Sequence, residues 1–349
     1  MTGWGDADNP FANAGAVLIR KATEESLEKI EWLWRGWLAS GKFHILAGSK
    51  GTGKSTLLYD LAARLTAGPS WPDGTPVATR RDAMIWSGED GIRDTILPRF
   101  VIAGGDRNRL YFPTHTFVDG EKRPFDPSTD IEALVAAAAR YPELGMVMID
   151  PVVLVLPSRS DSHKNSETRR GLQPLVDFAE ARGIAVVGVT HFTKGTQDRD
   201  PIERVTGSLA FGALPRCVWG TSADDDGVQR RLVRISSNIG PSGGGIEYTL
   251  LQEPLPDLDF SAQHVVWGAQ LKGSARELLD AKKRSAQAEA AAFLLDFLRS
   301  GGKPAKEVKA ASDAHCHNWA TVRLAQKKLG IKPWKNGVAW YWELPPQVY

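Results

Sequence analysis

From residue 42 onward the chain alternates short apolar, β-branched runs with longer stretches in which apolar positions recur at helical spacing. Residues 42–47 predict a first strand, residues 55–66 the helix after it, and residues 83–87 a second strand. A helix over 91–103, a short strand at 110–112 and an alanine-rich helix over 131–141 come next. Strand 146–149, helix 167–182 and strand 184–190 complete the series. Strands too apolar to leave one face in water, separated by helices of this length, predict an α/β domain with a largely parallel sheet.

The pattern changes after Phe211. Residues 217–221, 231–235, 246–250 and 264–267 read as short strands joined by polar or glycine-rich turns, an antiparallel extension of the sheet. Asp224-Asp-Asp-Gly227 reads as a hairpin turn. Residues 272–285 are polar and charged, as in a linker or linker helix. Helices over 286–299, 304–311 and 318–329 follow, with short strands near 331–334 and 338–344. Three helices and a two-stranded wing predict a winged helix. The expected organisation is therefore a partly flexible arm at 1–33, an ATPase-type core at 34–269, a linker at 270–285 and a winged-helix-like domain at 286–349. Trp32, Trp34 and Trp37 suit an aromatic lid, a protomer contact or the cover of a sheet edge.

Composition adds bounds. No apolar run approaches the roughly 20 residues that span a bilayer, and the first eight residues are acidic and polar rather than basic and then apolar. A cytoplasmic protein without a membrane partner is expected. Two cysteines, Cys217 and Cys316, imply neither a disulfide scaffold nor a thiolate cluster. His315-Cys-His317 lacks a fourth ligand at finger spacing, so no zinc site is expected. The net charge of +2 hides an asymmetry: residues 270–349 hold 14 basic and 7 acidic side chains, the rest 29 and 34. A basic end on an acidic body suits a polyanion; solubility of a small helical module is the other reading.

The strongest local signal is Gly48, Ser49, Lys50, Gly51, Thr52, Gly53, Lys54 and Ser55, with Thr56 following. It matches G-x-x-x-x-G-K-[ST] between a predicted strand and a predicted helix. Glycines let successive N–H groups turn inward around phosphates, and the helix N-terminus adds its positive end. Lys54 would reach the β and γ phosphates of ATP, and Ser55 would hold Mg²⁺. Asp150, leaving strand 146–149, is the second candidate metal ligand. Glu89 ends the second strand in Trp86-Ser-Gly-Glu-Asp90, where a carboxylate faces attacking water; Asp90 competes for that role. His191, in Val189-Thr-His-Phe-Thr-Lys194, is placed to report the γ phosphate, with Thr190 and Lys194 as candidates to share that role.

The order of these residues resembles the RecA-like ATPases, in particular the RepA-type hexameric replicative helicases and related AAA-labelled ATPases of phages, plasmids and prophages. The resemblance spans about residues 34–267, with Asp161-Ser-His-Lys-Asn165, Thr190-His-Phe-Thr-Lys-Gly195 and Val205-Thr-Gly-Ser-Leu-Ala-Phe-Gly212 as its local strings. It implies that Glu89 is the catalytic base, Asp150 the Walker B acid and His191 the γ-phosphate sensor. It also implies two mobile loops facing a central channel, at 158–165 and 194–204. Arg159, His163, Lys164, Lys194, Arg199 and Arg204 make them basic, as contacts to a DNA backbone require.

Ring ATPases of this kind complete each site with an arginine from the neighbouring subunit. Arg230, Arg231 and Arg234 lie in the corresponding region, and Arg234 is the candidate. Ile235-Ser-Ser-Asn238 supplies no second basic residue beside it. The C-terminal module resembles winged helices at the ends of phage and plasmid replication proteins. Residues 318–328 would be the recognition helix, offering Arg323, Lys327 and Lys328 to phosphates.

The leading expectation is an ATP-driven, single-stranded-DNA-dependent motor, a helicase-like hexamer acting with replication proteins. Duplex DNA would meet the C-terminal module. The alternative is a DNA-binding regulator, loader or recombination mediator without unwinding activity. A small-molecule kinase shares the phosphate loop but needs neither the late strands nor the basic module.

Overall fold

The structure, a computed structural model, describes residues 19–157, 165–205, 210–224, 227–255, 258–337 and 339–345. Arg159, His163 and Lys164 of the first basic loop lie outside the described residues, as do residues 206–209 of the 205–212 string and Asp225 and Asp226 of the acidic turn. The chain forms two units, Met1–Glu31 and Trp32–Tyr349. In the first, a 3-10 turn occupies Ala22–Glu24.

The second unit opens with a short antiparallel pair, β1 (Trp32–Trp34) and β2 (Leu38–Ala39), followed by β3 (Phe43–Gly48) and helix α1 (Lys54–Ala67). Then come β4 (Asp82–Ser87), α2 (Leu97–Ile102), β5 (Leu110–Tyr111), a hairpin of β6 (His115–Val118) and β7 (Glu121–Pro124), and α3 (Ile131–Ala138). Next are β8 (Leu144–Asp150), α4 (Asn165–Arg182), β9 (Ala185–Val189) and α5 (Ala210–Ala213). Four longer strands follow: β10 (Cys217–Ala223), β11 (Arg230–Ser237), β12 (Gly245–Pro254) and β13 (Ser261–Leu271). The chain continues through α6 (Ala275–Leu279), α7 (Ala281–Phe297), β14 (Lys303–Pro304), α8 (Ala305–Ala314), α9 (Trp319–Lys328), β15 (Trp334–Asn336) and β16 (Ala339–Trp342).

Among the described residues one nine-stranded sheet runs β13-β12-β11-β10-β3-β9-β8-β4-β5. From β10 to β5 the strands are parallel, and β11 to β13 add the antiparallel extension. Strand β9 thus separates β3 from β8, and β4 lies beyond β8, which is the RecA-like order.

The parallel strands are covered on both faces, and alternation divides their side chains. Phe43, Ile45 and Ala47 of β3 pack with Leu172, Leu175 and Phe178 of α4, whereas Leu46 packs with Leu57, Leu58 and Leu61 of α1. Strand β8 divides in the same way, with Val147 and Ile149 toward α4 and Met146 and Met148 toward α1. This two-sided burial is why these strands read as continuous apolar runs.

Several elements differ from expectation. The helix expected at 91–103 is a π-helical turn, Ile92–Ile96, followed by α2. Pro98 has no N–H for the α-helical bond to Asp94, and a wider turn accommodates its ring. Residues 272–285 do not form an irregular linker: Ser274 and Glu277 make a reciprocal capping box that starts α6, and α7 begins at Ala281. Strands β12 and β13 run past their apolar segments to Pro254 and Ser261, because ladder bonds continue where the side chains are polar. The C-terminal helices share a core of their own, with Leu294, Val308, Val322 and Trp342 buried. Their sheet has a third strand, β14, in the order β14-β16-β15.

The tryptophan-rich segment is core cover. Trp34 stacks between Trp37, at 4.7 Å, and Trp71, at 5.5 Å, while its indole N–H donates to Asp73 at 2.9 Å. Trp37 in turn meets Trp219 of β10 edge-on. Replacing Trp34 by alanine removes two stacks, one hydrogen bond and a fully buried ring. Denaturant titration of Trp34→Ala should show a loss of about 3–5 kcal/mol.

Candidate functional site

All the parallel strands end on one edge of the sheet, and the phosphate-loop residues leave β3 there. The Gly53 N-cap sits at φ 80°, a left-handed conformation that glycine adopts without strain, and Lys54 opens α1. A Cβ on Gly53 would lie 2.5 Å from Leu250 of β12, and one on Gly48 would lie 2.0 Å from Thr221 Oγ1 of β10. Late strands therefore press directly on the loop. Thr52 Oγ1 donates to the Ser49 carbonyl at 2.9 Å and pairs with Thr221 Oγ1 at 2.7 Å. Tyr248 Oη donates to the Thr52 carbonyl at 2.6 Å. Ser49, Lys50 and Gly51 are exposed at the loop crest, and Thr56 is buried behind it.

Lys54 is buried, and its ammonium donates to the carbonyls of Gly48, at 3.2 Å, and Ser49, at 3.1 Å. It also meets His191 Nδ1 at 3.3 Å. Burial pulls the Lys54 pKa down, opposed by the charges of Asp150 and Glu89. Burial and the Lys54 charge likewise lower that of His191, keeping the imidazole neutral so that Nδ1 accepts. The loop lysine and the residue that leaves β9 are thus in direct contact.

Ser55 Oγ donates to Asp150 Oδ2 at 2.5 Å. Asp150 is buried, and its pKa is pushed up to about 6 by burial and by the charges of Glu89 and Asp90, against the Ser55 bond and Lys54. A buried carboxylate held near a hydroxyl and an ammonium, with neighbouring acids raising its proton affinity, suits a site completed by a cation. Glu89 and Asp90 diverge. Glu89 is exposed on the cleft side, and its charge acts on Lys54, Asp150 and His191 together. Asp90 turns back to accept from Tyr59 Oη at 2.9 Å and to pair with Arg99 at 3.5 Å. The geometry brings Glu89, Lys54, Ser55, Asp150 and His191 together.

The profile of the AAA_25 family, described as an AAA domain, matches residues 9–197. The chain belongs to this AAA-domain family. With the strand order above, this makes it a RecA-like P-loop ATPase. Solved structures similar to it include the ATPase domain of a helicase, with 10% identity and a TM-score of 0.47 over 64% of this chain and 89% of that one. The RadB recombinase is another, with 14% identity and a TM-score of 0.42 over 63% of this chain and 91% of that one. A search of curated proteins finds no match.

Two basic residues of this AAA-domain protein are not where the sequence reading puts them. Arg204 does not face a channel: it is buried, binds both oxygens of Asp280 at 2.8 and 2.9 Å, and donates to the Arg199 carbonyl. Lys194 and Arg199 of that loop are exposed. Arg234 braces its own chain, with its guanidinium 4.8 Å over the Trp37 ring and Nε donating to the Gly243 carbonyl at 2.8 Å. Arg231 is paired with Asp224 at 2.6 Å. Arg230 stands opposite Ala223, just beyond the Thr221–Gly48 pairing, at the phosphate-loop end of the sheet.

The sequence reading missed Tyr59, Thr221 and Tyr248. Only the fold brings them to the site, because they arrive from helix and strand interiors without a local motif. A cavity of about 750 Å³ beside the loop is lined in part by Lys50, His191, Lys194, Thr221, Leu279 and Asp280.

The raised Asp150 pKa carries a stability prediction. A carboxyl that binds its proton more tightly folded, at about 6, than unfolded, at 3.8, favours folding below pH 4 and loses that contribution as pH rises through 6. Neutral Asp150→Asn escapes the loss. In metal-free, nucleotide-free buffer it should be more stable than the parent by about 2 kcal/mol at pH 8, with the difference vanishing near pH 4. Thermal and denaturant melts across pH check this.

Proposed function

We propose that this ATPase is a Mg²⁺-dependent, single-stranded-DNA-dependent motor of the replicative-helicase type, working as a hexameric ring of identical subunits for a phage, plasmid or prophage. The observation that carries the reading is the contact between Lys54 and His191. It joins the residue that would hold the γ phosphate to the start of the basic segment containing Lys194 and Arg199. A change at the phosphate thereby reaches a surface suited to a nucleic-acid backbone.

In this reading the N–H groups of residues 48–56 and the Lys54 ammonium bind the ATP phosphates, while Ser55 and Asp150 hold Mg²⁺. The bound cation would neutralise charge on the phosphates. Glu89 accepts the proton of the attacking water, its exposure leaving it accessible and the Lys54 charge keeping it ionised. His191, neutral, reads the γ-phosphate position by hydrogen bonding. DNA binding, subunit assembly and replication partners follow from this reading, and the chemistry needs no membrane.

A second reading, a DNA-binding regulator, loader or recombination mediator, draws on the C-terminal module. Three helices around their own core and a sheet ordered β14-β16-β15 support a winged-helix domain that starts within α7. Its second long helix, α9, is capped by Asn318 and exposes Arg323, Lys327 and Lys328 on one side. Duplex DNA is the ligand this face suits.

Steady-state ATP turnover with and without single-stranded DNA separates the readings. The motor reading expects strong stimulation by DNA. It also expects Glu89→Gln to reduce turnover by about 100-fold or more while still binding nucleotide, and Lys54→Ala to lose binding. DNA-independent turnover would favour the regulator. Wild-type turnover by Glu89→Gln would contradict the assignment of the base in either reading.

A further inference from the structure

We infer that Asp90 is a positioning residue for the Glu89 base, through a brace that links the phosphate-loop helix to the turn carrying Glu89. The inference rests on the reading of Glu89 given above. Ser55 and Tyr59 are four residues apart on α1 and share one face. The Ser55 hydroxyl reaches Asp150 at the end of β8, and the Tyr59 hydroxyl reaches Asp90 just beyond β4. One helix face therefore sets both strand-end acids.

The turn around Glu89 is tied at nearly every polar group. Gly88 N–H donates to the Asp150 carbonyl at 2.8 Å. Ser87 Oγ accepts from the amides of Glu89, at 3.2 Å, and Asp90, at 2.9 Å. The Gly91 carbonyl accepts from both Thr95 and Ile96, anchoring the π-helical turn. Arg99 of α2 closes the brace against the Asp90 carboxylate at 3.5 Å. Tyr59 is fully buried, so its hydroxyl has no competing bulk water and its bond to a charged acceptor is strong. Within this frame the Glu89 side chain is the one directed to the cleft. A carboxylate misplaced by about 1 Å loses much of its value as a base, so loosening Asp90 should slow the chemical step without weakening nucleotide binding.

The test is kinetics of Asp90→Asn and Tyr59→Phe, singly and in the Glu89→Gln background, with affinity for a non-hydrolysable ATP analogue measured alongside. Asp90→Asn should lower kcat by about 10-fold or more and Tyr59→Phe by about 3-fold, with KM and analogue affinity within about 2-fold. Asp90→Glu should recover part of the loss. In Glu89→Gln protein neither change should cost anything further, because the brace acts only through that carboxylate.

Unchanged kcat in Asp90→Asn would overturn the inference while leaving the Glu89 reading intact if Glu89→Gln is inactive. Full additional loss in the Glu89→Gln background would also overturn it, by giving Asp90 a role of its own. If Asp90→Asn is inactive and Glu89→Gln turns over normally, Asp90 is itself the base and both statements fall.

Discussion

The phosphate loop of this protein is held in shape from above by strands that the chain reaches much later. Thr221, 169 positions beyond Thr52, shares a hydroxyl contact with it, and Tyr248, 196 positions beyond, holds the Thr52 carbonyl. Gly48 and Gly53 have no room for a side chain because Thr221 and Leu250 fill it. A loop of glycines would otherwise sample many conformations. Here part of that entropy is removed during folding rather than on nucleotide binding, the general advantage of a preorganised site. The antiparallel extension is therefore part of the phosphate site and not an appendage to the parallel sheet.

The same kind of support governs the acidic side of the cleft. Helix α1 begins at the loop, and its first turns supply Lys54, Ser55 and Tyr59, so the loop, Asp150 and Asp90 share one rigid support. Trp267 of β13 donates to Asp60 at 2.7 Å, which clamps the outer face of that helix to the extension. On the other side His191 leads into a segment whose ends meet, with Thr193 N–H bonded to the Arg204 carbonyl at 2.7 Å. Arg204 then grips Asp280 at the start of α7. A continuous set of polar contacts thus runs from Lys54 to the C-terminal helices.

Much of this was legible in the sequence, and the physical reasons are clear. Strands β3, β8 and β9 are covered on both faces, so their apolar runs stand out, and the glycine-rich motif with its lysine and serine marks the phosphate loop directly. Glu89 and Asp150 could be named because each ends a recognisable strand. The hairpin β6–β7 could not, since its exposed Phe117 and charged neighbours give no buried face to read. The π-helical turn depends on one missing N–H at Pro98. The Arg204–Asp280 pair joins residues 76 positions apart, and its charges looked like those of any solvated loop. The braces by Tyr59, Thr221 and Tyr248 are likewise products of tertiary approach.

The central claim is that the late strands preorganise the phosphate loop, and calorimetric binding of a non-hydrolysable ATP analogue with Mg²⁺ tests it most directly. Tyr248→Phe removes one hydroxyl from the brace and leaves the ring packed. The account predicts that affinity falls roughly 5- to 10-fold, the worth of one hydrogen bond, in a protein that still folds. An affinity equal to that of the parent chain would contradict it.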